Sequence, residues 1–202
     1  MSTPRRTTKE RRAELVDAAL EIIETRGIVE LTTKSLADAV GLSTGAIFRH
    51  FNSLDALLVT VADHVGNLLD ATYPPVAVAP VERLARFMDA RCVVVGDRVG
   101  VLRLMLSEQF ALALPEAAAR RLRGAIDTTR TFLVETIAQA QAAKQLRDDL
   151  EPQALAVIVM GTMQMIGLTG RSKAHGSQQV NAVRAALMRL LTATEPERRR
   201  AR

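Results

Sequence analysis

The 202-residue sequence has one cysteine, no tryptophan, one tyrosine, five phenylalanines and three histidines. Each shortage removes a class of protein. Cys92 alone cannot close an intrachain disulfide, so nothing points to an oxidising compartment, and a cytoplasmic setting is expected. Met1–Arg6 is basic but has no apolar run behind it, which argues against a signal peptide. The longest weakly polar stretch, "ALAVIVMGTMQMIGLTG" (154–170), is broken by Thr162, Gln164 and glycines. It falls short of the roughly 18 apolar residues a membrane span needs, so a buried helix explains it better. His50, His64 and His175 are too dispersed to form a two-histidine metal pair, and no metal is expected. Cys92 lacks a patterned histidine partner and reads as a small buried hydrophobe. "GDRVG" and "GLTG" lack the context of a phosphate-cradling loop. Neither an enzyme nor a cofactor is expected.

What is abundant is alanine, leucine, valine and arginine, a helix-favouring mixture in a chain that is 48% hydrophobic. Net charge is +5, which permits nucleic-acid binding without requiring it. Basic residues cluster at both ends, in Arg5, Arg6, Lys9, Arg11 and Arg12 and in Arg198, Arg199, Arg200 and Arg202. The C-terminal run reads as a solvated tail.

Apolar spacing near 3.6 predicts helices throughout, and the fold class is all-α. Residues 8–26 form an amphipathic helix with Leu15, Ala18, Ala19, Ile22 and Ile23 inward, capped by Thr7 or Thr8 and ended by Gly27. Thr33 is expected to cap a short helix through Val40, and Gly41 supplies a tight turn. Ser43 caps a third helix, Thr44–Phe51. Ser53 caps a fourth, with Leu57, Leu58, Val61, Ala62, Val65, Leu68 and Leu69 inward. "YPPVAVAP" (73–80) predicts a loop. Further helices are expected at 81–97, 98–112, 115–144, 152–170 and 178–193, with Pro115 and Pro152 in first turns.

Two short helices joined by a glycine turn, with Ala37 small at the crossing and Val40, Leu42 and Ile47 closing a miniature core, are a helix-turn-helix. In that motif the second helix enters the major groove. The alternative, a three-helix bundle with no DNA role, leaves Thr44, Gly45 and Arg49 without a purpose on so short a helix.

Over residues 11–58 the chain resembles the TetR/AcrR family of transcriptional regulators. The stretch "ELVDAALEIIETRGIVELTTKSLADAVGLSTGAIFRHFNSLDALL" carries G-x-x-x-L-T-T-x-x-L-A-x-x-V-G-L-S-x-G-x-I-F-R-H-F without a gap. The resemblance implies residues 1–52 as a helix-turn-helix DNA-binding domain with a basic arm at 1–12. It implies 53–202 as a larger helical effector-binding and dimerisation domain. It also implies roles: Thr33 caps its helix and meets a phosphate, Lys34 contacts base or phosphate, Thr44 and Gly45 approach base edges, and His50 meets a phosphate. Arg49 has no fixed family role, but arginine on a groove-facing helix is the commonest reader of guanine. Two departures stand out. Phe48 replaces a usual tyrosine, leaving an apolar contact to a thymine methyl. Leu54 replaces a usual lysine, removing a phosphate contact and reducing the salt dependence of binding.

The expected partners are a double-stranded DNA operator, a second copy of the chain, and a small lipophilic effector. In the family the last two long helices pair across a two-fold axis. Here these are 152–170, offering Leu155, Ile158, Val159, Thr162 and Ile166, and 178–193, offering Val180, Val183, Leu187, Leu190 and Leu191. The same residues could instead face the domain's own core, and part of each set must. Candidate pocket residues are Phe87, Met88, Arg91, Met105, Phe132, Met160 and Gln164, with Thr136 a further polar handle; a plain aliphatic core would look similar. The resemblance implies that a ligand moves the fourth helix, changes the spacing of the two reading heads and lowers operator affinity. Repression is the family's usual behaviour. An alternative keeps the DNA-binding head and makes the larger domain a protein-interaction module without a small ligand.

Overall fold

The computed structural model describes residues 7–97, 113–169 and 176–192. Among them lie eight α-helices and no strand: α1 Thr8–Arg26, α2 Thr33–Val40, α3 Thr44–Ile47, α4 Leu54–Asp70, α5 Pro80–Asp97, α6 Glu116–Ala142, α7 Pro152–Thr169 and α8 Gly176–Leu191. A short 3₁₀ turn, Ile28–Glu30, follows α1. The helix expected at 98–112, with Met105, lies outside the described residues, as do Arg5, Arg6 and the C-terminal arginines. No helix among the described residues is long and apolar enough to cross a membrane. Nor could any cluster of His, Cys, Asp or Glu among them hold a metal ion.

Contacts divide the chain into two units, Met1–Ala71 with Asp97–Ile126 and Thr72–Gly96 with Asp127–Arg202. In the first, α1 packs against both α2 and α4. That double contact explains why its apolar face is wider than the expected stripe: Val16 and Leu20 are buried beside Leu15, Ala19, Ile22 and Ile23. Thr7 starts α1 with a reciprocal box, its hydroxyl accepting from the Glu10 N–H while the Glu10 carboxylate accepts from the Thr7 N–H. Gly27 ends the helix at φ 91°. Where α6 meets α4, the Arg121 guanidinium lies over Gly66, between Asp70 at 2.7 Å and Asp63 at 3.9 Å. A Cβ at Gly66 would fall 2.1 Å from the guanidinium carbon, so the missing side chain makes room for this clasp.

The second unit has its own core. Leu84, Phe87 and Met88 from α5, Leu133 and Ile137 from α6, Leu155, Val159 and Met163 from α7, and Leu187 and Leu191 from α8 form one buried cluster. The proline-rich segment is a loop as expected, except that Pro80 is the first residue of α5, where its missing N–H costs nothing. Between α6 and α7 the chain turns at Lys144, φ 57°. The buried Gln141 amide holds this turn by donating to the carbonyls of Arg147 (2.7 Å) and Leu150 (2.8 Å).

Candidate DNA interface and effector site

The reading head is built from local capping. α2 starts one residue earlier than the expected cap: Thr32, not Thr33, is the N-cap. The reason lies three residues on. Thr32 Oγ1 accepts from the Ser35 N–H at 3.0 Å, and Ser35 Oγ accepts from the Thr32 N–H at 2.9 Å. From Thr33 the third residue is Leu36, which cannot reciprocate. Thr33 is thereby released from capping and sits half-buried in the first turn. Gly41 then takes φ 65°, and the Leu42 N–H returns to the Ala37 carbonyl at 2.9 Å. Only a residue without Cβ adopts that conformation at no steric cost.

Ser43 caps α3, accepting from the Ala46 N–H at 3.2 Å. The helix is shorter than expected, ending at Ile47 rather than Phe51. Beyond it the Arg49 N–H bonds the Ala46 carbonyl and the His50 N–H the Ile47 carbonyl, the three-residue spacing of a tightened last turn. Phe51 and Ile47 are buried and pin this turn from below. Thr44, Gly45, Phe48 and Arg49 are exposed beside one another, with Lys34 exposed on α2. Phe48 is 49% exposed, a large apolar ring facing solvent. A Cβ built on Gly45 meets nothing within 4 Å, so nothing inside the chain requires glycine there. The His50 ring is half-buried, with Nδ1 enclosed and without a hydrogen-bond partner among the described residues.

Arg11 and Arg12, expected both in the basic arm and in the helix from residue 8, lie in the first turns of α1. Arg11 pairs with Glu14 at 2.6 Å. Arg12 Nη1 donates to the His50 carbonyl at 2.5 Å, and its guanidinium stacks 4.2 Å from the centroid of the Phe51 ring. Arg12 thus ties α1 to the end of the reading turn.

In the second unit, five of the seven expected pocket residues come together. Phe87 and Met88 are in the core, Phe132 and Met160 pack on it, and Arg91 lies against it. Gln164 is half-buried further along α7, and Met105 lies outside the described residues. The ring pairs Phe87–Phe132 (4.7 Å) and Tyr73–Phe132 (5.1 Å) form an aromatic cluster with Tyr73–Phe87 (5.5 Å). Arg91 does not snorkel. It is 5% exposed, lies 4.8 Å from the centroid of Phe87 and 5.4 Å from that of Tyr73, and donates to Thr129 Oγ1 at 3.3 Å. The Tyr73 hydroxyl shares Thr129 at 2.9 Å. Arg83, equally buried, donates to Thr136. Sequence reasoning missed Tyr73, Arg83 and Thr129. The signal was present for Arg83: it stands four residues before Phe87 and eight before Arg91, which places all three on one face of α5.

The outer faces of α7 and α8 carry apolar side chains. Leu155, Val159, Ile166, Leu187 and Leu191 point into the core, whereas Ile158, Val183 and Leu190 are exposed. Val157 and Met165 extend the exposed set on α7.

A glycine-turned pair of short helices with an exposed polar and apolar outer face is the arrangement of a DNA-reading helix-turn-helix, and the same chain carries a helical unit with an aromatic core. Residues 15–61 match the family described as "Bacterial regulatory proteins, tetR family". The chain is 30% identical over 158 residues to the HTH-type transcriptional repressor Rv1474c of Mycobacterium tuberculosis, covering 72% of this chain and 74% of that protein. Its fold is similar to that of the ketosteroid transcriptional regulator KstR2 of Mycobacterium tuberculosis, with a TM-score of 0.81 at 19% identity over 91% of this chain and 96% of that one. It is also similar to AibR, solved in complex with isovaleryl coenzyme A and operator DNA, with a TM-score of 0.75 at 18% identity over 88% and 98% of the two chains. The chain belongs to the TetR family of bacterial regulatory proteins, which are DNA-binding transcriptional regulators and not enzymes.

Proposed function

We propose that this regulator is a repressor that reads an inverted-repeat operator as a homodimer and is released by a small, largely apolar effector. The division of labour is the one expected from the sequence, with 1–52 as the reading head and 53–202 as the effector and dimer domain. The observation that carries the reading is Gly45. It has an ordinary backbone conformation and open space where a side chain would go, so at the exposed start of α3 an outside group can come close to the backbone. A DNA backbone or base edge pressed against the start of α3 fits that opening. Thr44, Phe48 and Arg49 then face base edges, and Thr33, Lys34 and His50 face phosphates.

The exposed apolar strip on α7 and α8 supports the homodimer. Side chains such as Met165, 59% exposed, and Leu190, 66% exposed, form a patch that covers itself when two copies meet across a two-fold axis. That AibR was solved with an acyl thioester and operator DNA supports an effector for this chain too. An effector acts only through its difference in affinity between the DNA-bound and released states.

The test is selection from random-sequence duplexes with the full chain and with Arg49→Ala. The expected result is an enriched inverted repeat whose preference at one base position is lost in the variant. Enrichment of a repeat unchanged by the variant would move base reading to Lys34, Thr44 and Phe48. No enrichment at low salt would sink the operator reading. Thermal-shift screening against a lipophilic library separates an effector sensor, which gives hits clustered by chemistry, from a protein-interaction module, which gives none.

A further inference from the structure

Arg83 carries a full positive charge and is only 5% exposed, yet no carboxylate pairs with it among the described residues. Its partners are neutral. Nη1 donates to the Val76 carbonyl at 3.3 Å, and Nη2 donates to Thr136 Oγ1 at 3.3 Å and to Gln139 Oε1. The Phe132 ring centroid lies 5.9 Å from the guanidinium carbon. Nε is enclosed and has no acceptor among the described residues. A guanidinium cannot shed its proton, and a charge taken out of water without a counter-charge is costly. Proteins retain such a group where something else supplies the charge.

We infer that Arg83 is the headgroup site of the effector, and that the effector is a carboxylic acid on an apolar body. The inference rests on the effector reading above and narrows it. Two planar carboxylate oxygens match the free Nε–H and the adjacent Nη2, the bidentate arrangement for which arginine is suited. The second oxygen replaces Gln139 Oε1, whose side chain is exposed and free to swing out. One guanidinium neutralises one negative charge. A phosphate dianion would leave excess charge among threonine, amide and aromatic groups. The apolar body lies along the half-buried Phe132, whose ring packs 4.7 Å from that of the fully buried Phe87. Val76, whose carbonyl holds the guanidinium, is 84% exposed, so the charge sits one layer below solvent.

The experiment is calorimetric titration of the full chain with medium-chain alkanoates, the matching alcohols and the matching alkyl phosphates, repeated with Arg83→Met and Arg83→Lys. Circular dichroism reports whether each variant is folded. Alkanoates are expected to bind the wild type at least about tenfold tighter than alcohols of equal length, a difference of about 1.4 kcal/mol. A folded Arg83→Met protein loses that preference. If Arg83→Met does not fold, Arg83→Lys decides: it keeps the charge without the fork, so alkanoates weaken while alcohols are unaffected. Equal binding of acids and alcohols by the wild type, or full alkanoate binding by either folded variant, overturns the headgroup site. Tighter binding of alkyl phosphates than of alkanoates overturns the carboxylate assignment. Binding of neutral lipophiles alone overturns this inference and leaves the effector reading standing. Silence across neutral and anionic probes overturns both.

Discussion

Arg12 offers the sharpest test of how the reading head works, because two roles for it predict different measurements. A basic residue near the start of such a head would ordinarily be assigned to a phosphate. Here its guanidinium donates to the His50 carbonyl and stacks on Phe51, so its work is to hold the turn after α3 against α1. A charge-assisted hydrogen bond contributes about 1.5 kcal/mol at the low end appropriate to an exposed donor. The cation–π contact adds about 0.5 kcal/mol at an exposed site. Arg12→Ala should therefore destabilise the protein by about 1–2 kcal/mol in urea unfolding. If the turn frays to the same extent on DNA, affinity for a selected duplex falls by up to about tenfold. The discriminating quantity is the dependence of affinity on salt. Each phosphate contact contributes about 0.9 to the slope of log affinity against log salt, whereas a strut contributes nothing. Arg12→Ala should leave the slope unchanged and blur the base preference at the positions that Phe48 and Arg49 are proposed to read. Arg11→Ala, which removes only a short-range pair with Glu14, should change stability by no more than about 0.5 kcal/mol. A slope reduced by about one unit with unchanged stability would show that Arg12 reaches a phosphate and that the strut is wrong.

Gly45→Ala should leave stability unchanged or raise it by up to about 1 kcal/mol, since alanine suits a helix better and meets no neighbour, while weakening duplex binding; equal affinity with and without the methyl would remove the argument for close approach at α3. Burial pushes the Cys92 thiol pKa up, so at neutral pH the native chain should be alkylated at least about tenfold more slowly than the urea-unfolded chain; equal rates would place the thiol in solvent. Asp149 is held below its ordinary value of 3.8 by its hydrogen bond from Arg147, and Asp148 likewise by Lys144. Both pairs stabilise the turn between α6 and α7 above that value and lose their effect as pH falls through the lowered ones, so the Asp148→Asn, Asp149→Asn protein should show a shallower acid-unfolding curve than wild type. Gln141→Leu should cost about 1–2 kcal/mol by removing two donors from the carbonyls of the same turn, read by thermal or urea unfolding.

The helices of the reading head were legible because their ends are marked by residues that act locally. Thr7 with Glu10, Ser43, Ser53 and the glycines at 27 and 41 stop and start the chain through bonds spanning only a few residues. The one misplaced cap follows the same logic, since Thr32 and Thr33 are equal in type and differ only in what stands three residues on. The length of α3 was not legible. Periodicity alone would run it on to Phe51, but burial of Phe51 tightens the last turn, and that is a tertiary effect. The contact of Arg12 was not legible for a related reason, since its partner is a backbone carbonyl 38 positions away and no spacing rule reaches that far.

The second unit shows the converse limit. Apolar spacing located Phe87, Met88 and Phe132 because hydrophobic burial repeats with the helix, and the aromatic cluster follows from it. Charge does not repeat in this way. Arg86 and Arg83 are the same residue type three positions apart, yet Arg86 pairs with Glu82 on an exposed face while Arg83 is buried among neutral acceptors. The face assignment could have been read from Phe87 and Arg91, but the missing counter-charge could not, because it depends on which groups α6 and the proline-rich loop present. Neutral acceptors around a buried guanidinium mean that the folded protein alone leaves that charge uncompensated. For this regulator the physical cost of Arg83 and its proposed ligand chemistry are two statements of the same fact, so a folded Arg83→Met protein should be at least as stable as wild type while losing the acid preference. A variant that both lost stability on removal of the charge and kept acid binding would break that link.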